Sequence, residues 1–237
     1  VRHETEYPAP HFVSPTARGY VYAGYSIDAP AHAPFVRRSP RRMQAVDTLG
    51  ELQDQLRDLP EVASTTLFQA VLMPPIPGSP RHDLLMLVQT ADVAHTRAVS
   101  EQIQGTGPPP SMLLHAVNTH RIGDTEADMS GTFLFNHFSG PDAGTATSTW
   151  KAVTGWYTSK TGVDNSTLLE VEGESPFAIV NYVRLPGGAP GFLANQLGRP
   201  SFHRFVRPRL KDNDVRPMPL FYRAIKHTTG GPGRTQR

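Results

Sequence analysis

One order of elements is written twice along this chain. A polar and acidic stretch at residues 123 to 131, GDTEADMSG, divides the sequence. On each side of it the apolar periodicities spell strand, helix, strand, strand, helix, strand. In the first half the strand patterns cover 18–27, 64–73, 83–90 and 111–122, with helical patterns over 39–60 and 91–103. In the second they cover 131–140, 165–173, 176–185 and 215–225, with helical patterns over 145–162 and 201–210. A β-α-β-β-α-β unit covers one face of its sheet with helices and leaves the other face bare. A bare apolar face has to be buried, and a second copy in the same polypeptide can bury it.

The expected fold class is therefore α+β. Two tandem ferredoxin-like modules, over 17–125 and 130–227, pack sheet to sheet as an α+β barrel of the dimeric kind within one chain. Extensions at 1–16 and 228–237 flank them; the first is expected to wrap over a barrel edge and the second to be disordered.

Local signals agree with this frame. Ser39 is placed to cap the first helix and Pro40 suits its first position. Val46, Leu49, Leu52, Leu56 and Leu59 then mark one apolar face. Ala146, Trp150, Val153 and Tyr157 mark the face of the third helix, which Gly162 is suited to end. Pro217 and Pro219 require the last strand to lie at an edge or a bulge.

Composition narrows the chemistry. With no Cys among 237 residues, disulfides, thiolate metal sites and Cys nucleophiles are excluded. The ten His are scattered, and no phosphate loop, dinucleotide fingerprint, nucleophile elbow or zinc-protease motif is present. Net charge is +2. The one dense basic run holds Arg37, Arg38, Arg41 and Arg42 and reads as a solvated loop entering a helix. The sequon at Asn165 reads as chance. No apolar run is long enough to span a bilayer and the first residues lack the apolar core of a secretion signal. The expectation is a cytoplasmic protein that binds neither nucleic acid nor membrane.

What remains is a set of polar groups inside apolar strands. In PFAIVNYVRLPGG, Asn181 alternates onto the face of Phe177, Ile179, Val183 and Leu185, and Tyr182 onto the opposite face. Asn136 and His137 also point opposite ways, and His115, Asn118, His203, Arg204 and Arg207 complete the set. For Asn181 a structural hydrogen bond and a ligand-facing role stay open. For Trp150 and Tyr157 the plain alternative is core packing, and for His203 it is a solvated surface.

The segments WKAVTGWYTSKTG, STLLEVEGESPFAIVNYVRL, FLANQLGRPSFHRFV and PLFYRAI together resemble the antibiotic biosynthesis monooxygenase superfamily of dimeric α+β barrels. The likeness covers about residues 131 to 226; Leu185 stands where the family has a Trp. It implies a monooxygenase or related tailoring enzyme that acts on an aromatic, polyketide-type substrate without a cofactor. In that chemistry an electron-rich phenolate itself reacts with O2, while the protein excludes water and stabilises the oxyanion. The implied catalytic residues are Asn181, His203 and Arg207. Asn136, Trp150, Tyr157, Leu185 and Phe192 would bind the substrate, and no metal is implied. Haem-processing proteins share this barrel, so haem is the alternative, with His137, His115 or His203 as axial ligand. A non-catalytic binding barrel is the third reading. A homodimer of the fused barrel is a further expectation.

Overall fold

A computed structural model describes residues 7–31 and 34–225. The expected C-terminal tail and the first six residues of the N-terminal extension lie outside them.

The first half contains β1 (Phe12–Val13), β2 (Gly19–Tyr25), α1 (Pro40–Arg57), β3 (Val62–Leu72), β4 (Leu84–Thr90), α2 (Thr96–Thr106) and β5 (Met112–Ile122). The second contains β6 (Phe133–Ser139), α3 (Ala143–Thr161), β7 (Ser166–Glu172), β8 (Ile179–Arg184), α4 (Ala189–Leu197), α5 (Arg207–Asp212) and β9 (Arg216–Ala224). Ser39 caps α1 by accepting from the Arg42 N–H, and Gly162 ends α3 with φ +75°, as their sequence positions require. The short helix α4 has no counterpart in the periodicity. The helix expected over 201–210 is split into a π-helical turn at Phe202–Val206 followed by α5.

The strands run in the order β5-β2-β4-β3-β9-β6-β8-β7, and β7 pairs back onto β5. Every pairing is antiparallel, so eight strands close into a barrel and β1 adds to the end of β5. Closure joins the halves edge to edge at β3–β9 and β5–β7, which leaves no long sheet edge unpaired among the described residues. The bare faces meet inside, as expected, but as the lining of one lumen rather than as two stacked sheets. Tyr20, Tyr22, Phe68, Phe135, Leu220 and Tyr222 belong to that core. Pro217 and Pro219 pair with β6 on a stretch of β9 that β3 does not reach, so their missing N–H groups fall on an open side.

Two readings of the sequence change. Phe177 packs into the barrel core with Val180 and Tyr182, away from the Asn181 face, because the strand proper begins only at Ile179. Arg42 is not solvated. Its guanidinium pairs with fully buried Asp83 at 2.7 Å and donates to the carbonyls of Arg37 and Asp28. Asn165, in the sequon, is buried too: its amide exchanges two hydrogen bonds with the Arg184 backbone.

From Tyr7 to Val13 the N-terminal extension does lie over the barrel. Tyr7 packs edge-on against Phe205, Phe12 sits beside Trp150, and the Pro8 carbonyl rests on Gly155, where any Cβ would meet it. Among the described residues no helix is long and apolar enough to cross a membrane.

Candidate functional site

Outside the barrel wall of the second half, α3, α4 and α5 cover the sheet without filling the space beneath them. A narrow cleft remains, partly open to solvent. Its floor is the outward face of β6 and β8, with Asn136 and Phe138 from one strand and Asn181 and Val183 from the other. Trp150, Val153 and Tyr157 wall it from α3, Phe192 from α4, and Leu210 from α5. Thr154 and Thr158 also face it, but their hydroxyls are spent on carbonyls of α3 itself. What the lining presents is therefore apolar and aromatic, with few polar groups.

Two carboxamides are the main exception. Asn136 and Asn181 are direct cross-strand partners on adjacent strands, so both amides emerge at one point of the floor. Asn181 is 7% exposed, and its Oδ1 accepts from the Ser166 hydroxyl at 2.5 Å. That bond fixes the amide's orientation and leaves its N–H2 end without a partner among the described residues. The buried Oδ1 of Asn136 has no partner at all among them. An orphaned buried acceptor costs about 1–3 kcal/mol, so a bound donor there would recover energy the fold leaves unspent. Burial pushes the pKa of the Tyr157 hydroxyl well above the usual phenol value.

Of the residues singled out in the sequence, Asn181, Asn136, Trp150, Tyr157 and Phe192 converge on this cleft. Leu185 lies behind it, packed with Val183 and Phe221. His203 is exposed, with Nε2 at 2.7 Å from the Leu197 carbonyl. Arg207 lines a neighbouring surface groove. Ser166 carries no such sign in the sequence. Only its arrival beside Asn181, from another strand, gives it a role, and no local pattern announces that.

Among the described residues no His lines the cleft. His137 points into the barrel, where Nε2 meets the Tyr22 hydroxyl at 2.9 Å and Nδ1 the Met218 carbonyl at 3.3 Å. Burial, reinforced by nearby His82, lowers its pKa to about 3. His115 sits on the first half and bonds Ser100 at 2.8 Å. Among the described residues no three His, Cys, Asp or Glu gather to hold a metal.

No family model matches the chain, and no curated protein matches it in sequence. Solved structures do match in fold. An anthrone oxidase-like protein aligns at TM-score 0.62 with 11% identity, over 96% of this chain and 100% of that one. A haem-binding protein from Thermus thermophilus aligns at TM-score 0.51 with 13% identity, over 93% and 96%. A chlorite dismutase variant from Candidatus Nitrospira defluvii aligns at 0.52 with 11% identity, over 88% and 92%. At such identities the likeness is one of fold: an α+β structure built on a closed antiparallel barrel.

The expectation of a barrel without a cofactor is corrected by this set, since a haem-binding protein shares the fold. The cleft's own donors nonetheless do not suit haem. Its described lining offers no His, Cys or Met to the iron and no Arg or Lys to the propionates. Its one phenol, Tyr157, is held toward the neutral form, against the phenolate that ligation needs.

Proposed function

We propose that the cleft of the second half binds a planar phenolic substrate of the aromatic polyketide type and that the protein oxidises it with O2. The observation that carries this reading is the Asn136–Asn181 pair at the floor of an aromatic-walled cleft. Asn181 offers N–H to a substrate oxygen and Asn136 offers an unused acceptor to a neighbouring hydroxyl. A hydroxyanthrone displays that combination, a ring carbonyl beside a phenol. As its acidic methylene loses a proton, charge develops on the oxygen facing Asn181, where a fixed N–H donor stabilises it. In the overall change the methylene becomes a carbonyl. One atom of O2 enters the ring, and the other leaves as water with the two methylene hydrogens. Trp150, Tyr157 and Phe192 hold the ring plane and exclude water. The fold shared with an anthrone oxidase-like protein supports the reaction class.

The same reading treats the chain as two tandem ferredoxin-like units, 17–125 and 130–227. The strand order supports it: β5-β2-β4-β3 in one half and β9-β6-β8-β7 in the other both run fourth, first, third, second. The first unit then serves as the structural partner of the second.

The test is O2 consumption with 1,8-dihydroxyanthrone. Asn181→Ala is expected to lower kcat/KM by about 10²-fold or more. Equal rates in the variant and the parent overturn the assignment.

A further inference from the structure

Beside the cleft, and sharing Leu210 and Pro217 with it, runs an open surface groove. Its charged lining is lopsided. Arg207, Lys211 and Arg216 face it against one carboxylate, Asp214, which Arg216 already engages at 3.1 Å. Arg207 and Lys211 pair with no carboxylate among the described residues. They stand four residues apart on α5, where like charges repel. The helix dipole favours Lys211 in the last turn of α5, but it gives Arg207, at the first residue, no such support. Immediately before α5 the chain makes its π-helical turn at Phe202–Val206, an uncommon arrangement frequent at functional sites. Phe202 from that turn lines the groove as well.

We infer that the ligand of the cleft carries an anionic side arm, a carboxylate or phosphate on a short chain, which leaves past Leu210 and Pro217 and lies between Arg207 and Lys211. This rests on the cleft reading above and adds the chemical class of substrate. The ring is recognised by apolar walls and two amides, the arm by a guanidinium and an ammonium that no described carboxylate neutralises. It also gives Arg207 a binding role outside the cleft, on the substrate's charge rather than on its reacting ring.

Binding is measured by quenching of protein fluorescence with three probes: a hydroxynaphthalene bearing a short alkyl carboxylate, its neutral methyl ester, and the corresponding phosphate monoester. The acid is expected to bind about tenfold more tightly than the ester at low salt. The advantage fades as salt rises toward about 1 M. In the double variant Arg207→Gln, Lys211→Gln the ester keeps its affinity and the acid falls to the ester's level. Whether acid or phosphate gains more names the natural anion. Acid and ester binding alike, or an acid preference that survives the double variant, overturns the inference and leaves the cleft reading standing. Failure of all three probes to bind sinks both.

Discussion

The two halves of the barrel carry the same strand order, yet they differ in what covers their outward faces. On the outward face of the first half, Ala23 of β2 pairs across to Met86 of β4. At the matching place in the second half, Asn136 of β6 pairs with Asn181 of β8. Over the first pair α1 lays down Leu49, Leu52 and Leu56, all buried with Leu67, Leu84 and Val88. Over the second pair α3 brings Trp150 and Tyr157 with small Thr154 and Thr158 between them, and space remains. Under α1 the buried amide of Gln53 donates to the Thr65 carbonyl at 2.8 Å, although its Oε1, like the Oδ1 of Asn136, meets no partner among the described residues. One strand order thus yields a filled half and a hollow one. Side-chain volume and the choice of polar residue at two paired positions make the difference.

Exchanging the pairs is the strongest way to break this comparison. Asn136→Ala with Asn181→Met rebuilds the first half's pair in the second. It should abolish anthrone-dependent O2 uptake, by about 10²–10³-fold, while thermal denaturation shows a fold no less stable. Retained turnover would detach the amides from the site.

Filling and hollowness also predict different stability costs. Leu52→Ala in the first half should cost about 2–5 kcal/mol in urea unfolding and leave probe binding in the second half unchanged. Phe192→Ala, at the wall of the cleft, should cost less and weaken probe binding more. The reverse order would show that the cleft is part of the core.

The lumen offers a third contrast. His137 of β6 lies inside the barrel opposite Met218, whereas β2 has Gly24 at the matching place, and the ring of His82 fills the room that a Cβ there would need. Burial lowers the pKa of His137 to about 3 and of His82 to about 4. In the unfolded chain both bind protons near about pH 6.5. Between those limits the unfolded state binds more protons, so stability is complete above about pH 6.5 and lost as the pH falls toward about 3. Each imidazole contributes a slope of about 1.4 kcal/mol per pH unit. Denaturant midpoints from about pH 7.5 down to about pH 4 check this, and His137→Gln should flatten the curve.

The smallest effect is local. Ser39 caps α1 and Asp142 caps α3, the latter accepting from the Thr145 N–H at 2.7 Å. Ser39→Ala and Asp142→Ala should each cost about 1 kcal/mol. If only the Asp142 change alters probe binding, α3 alone answers to the cleft.

Much of this architecture is legible in the residues alone. The doubled element order, the leucine face of α1, the caps at Ser39 and Gly162 and the one-sided place of Pro217 and Pro219 all follow from signals within a few residues of each position. The amides are legible as oddities, since a carboxamide among β-branched neighbours stands out. What they do is not. Asn181 acquires its orientation from Ser166 on another strand, and Phe177 changes face because the strand starts two residues later than its apolar run. Arg42 reads as one of four solvated arginines, and only Asp83, far along the chain, comes to meet it and bury it.

By itself the sequence determined where the barrel strands and the longer helices lie and, Phe177 apart, which face of each is apolar, because periodicity and capping are properties of neighbouring residues; α4 and the π-helical turn escaped it. Tertiary structure alone decided how the edges close at β3–β9 and β5–β7, and which helix-covered face keeps a hollow. It also decided where the polar groups of distant strands meet. Those outcomes depend on side chains brought together across the barrel, and no local pattern records the volume they leave.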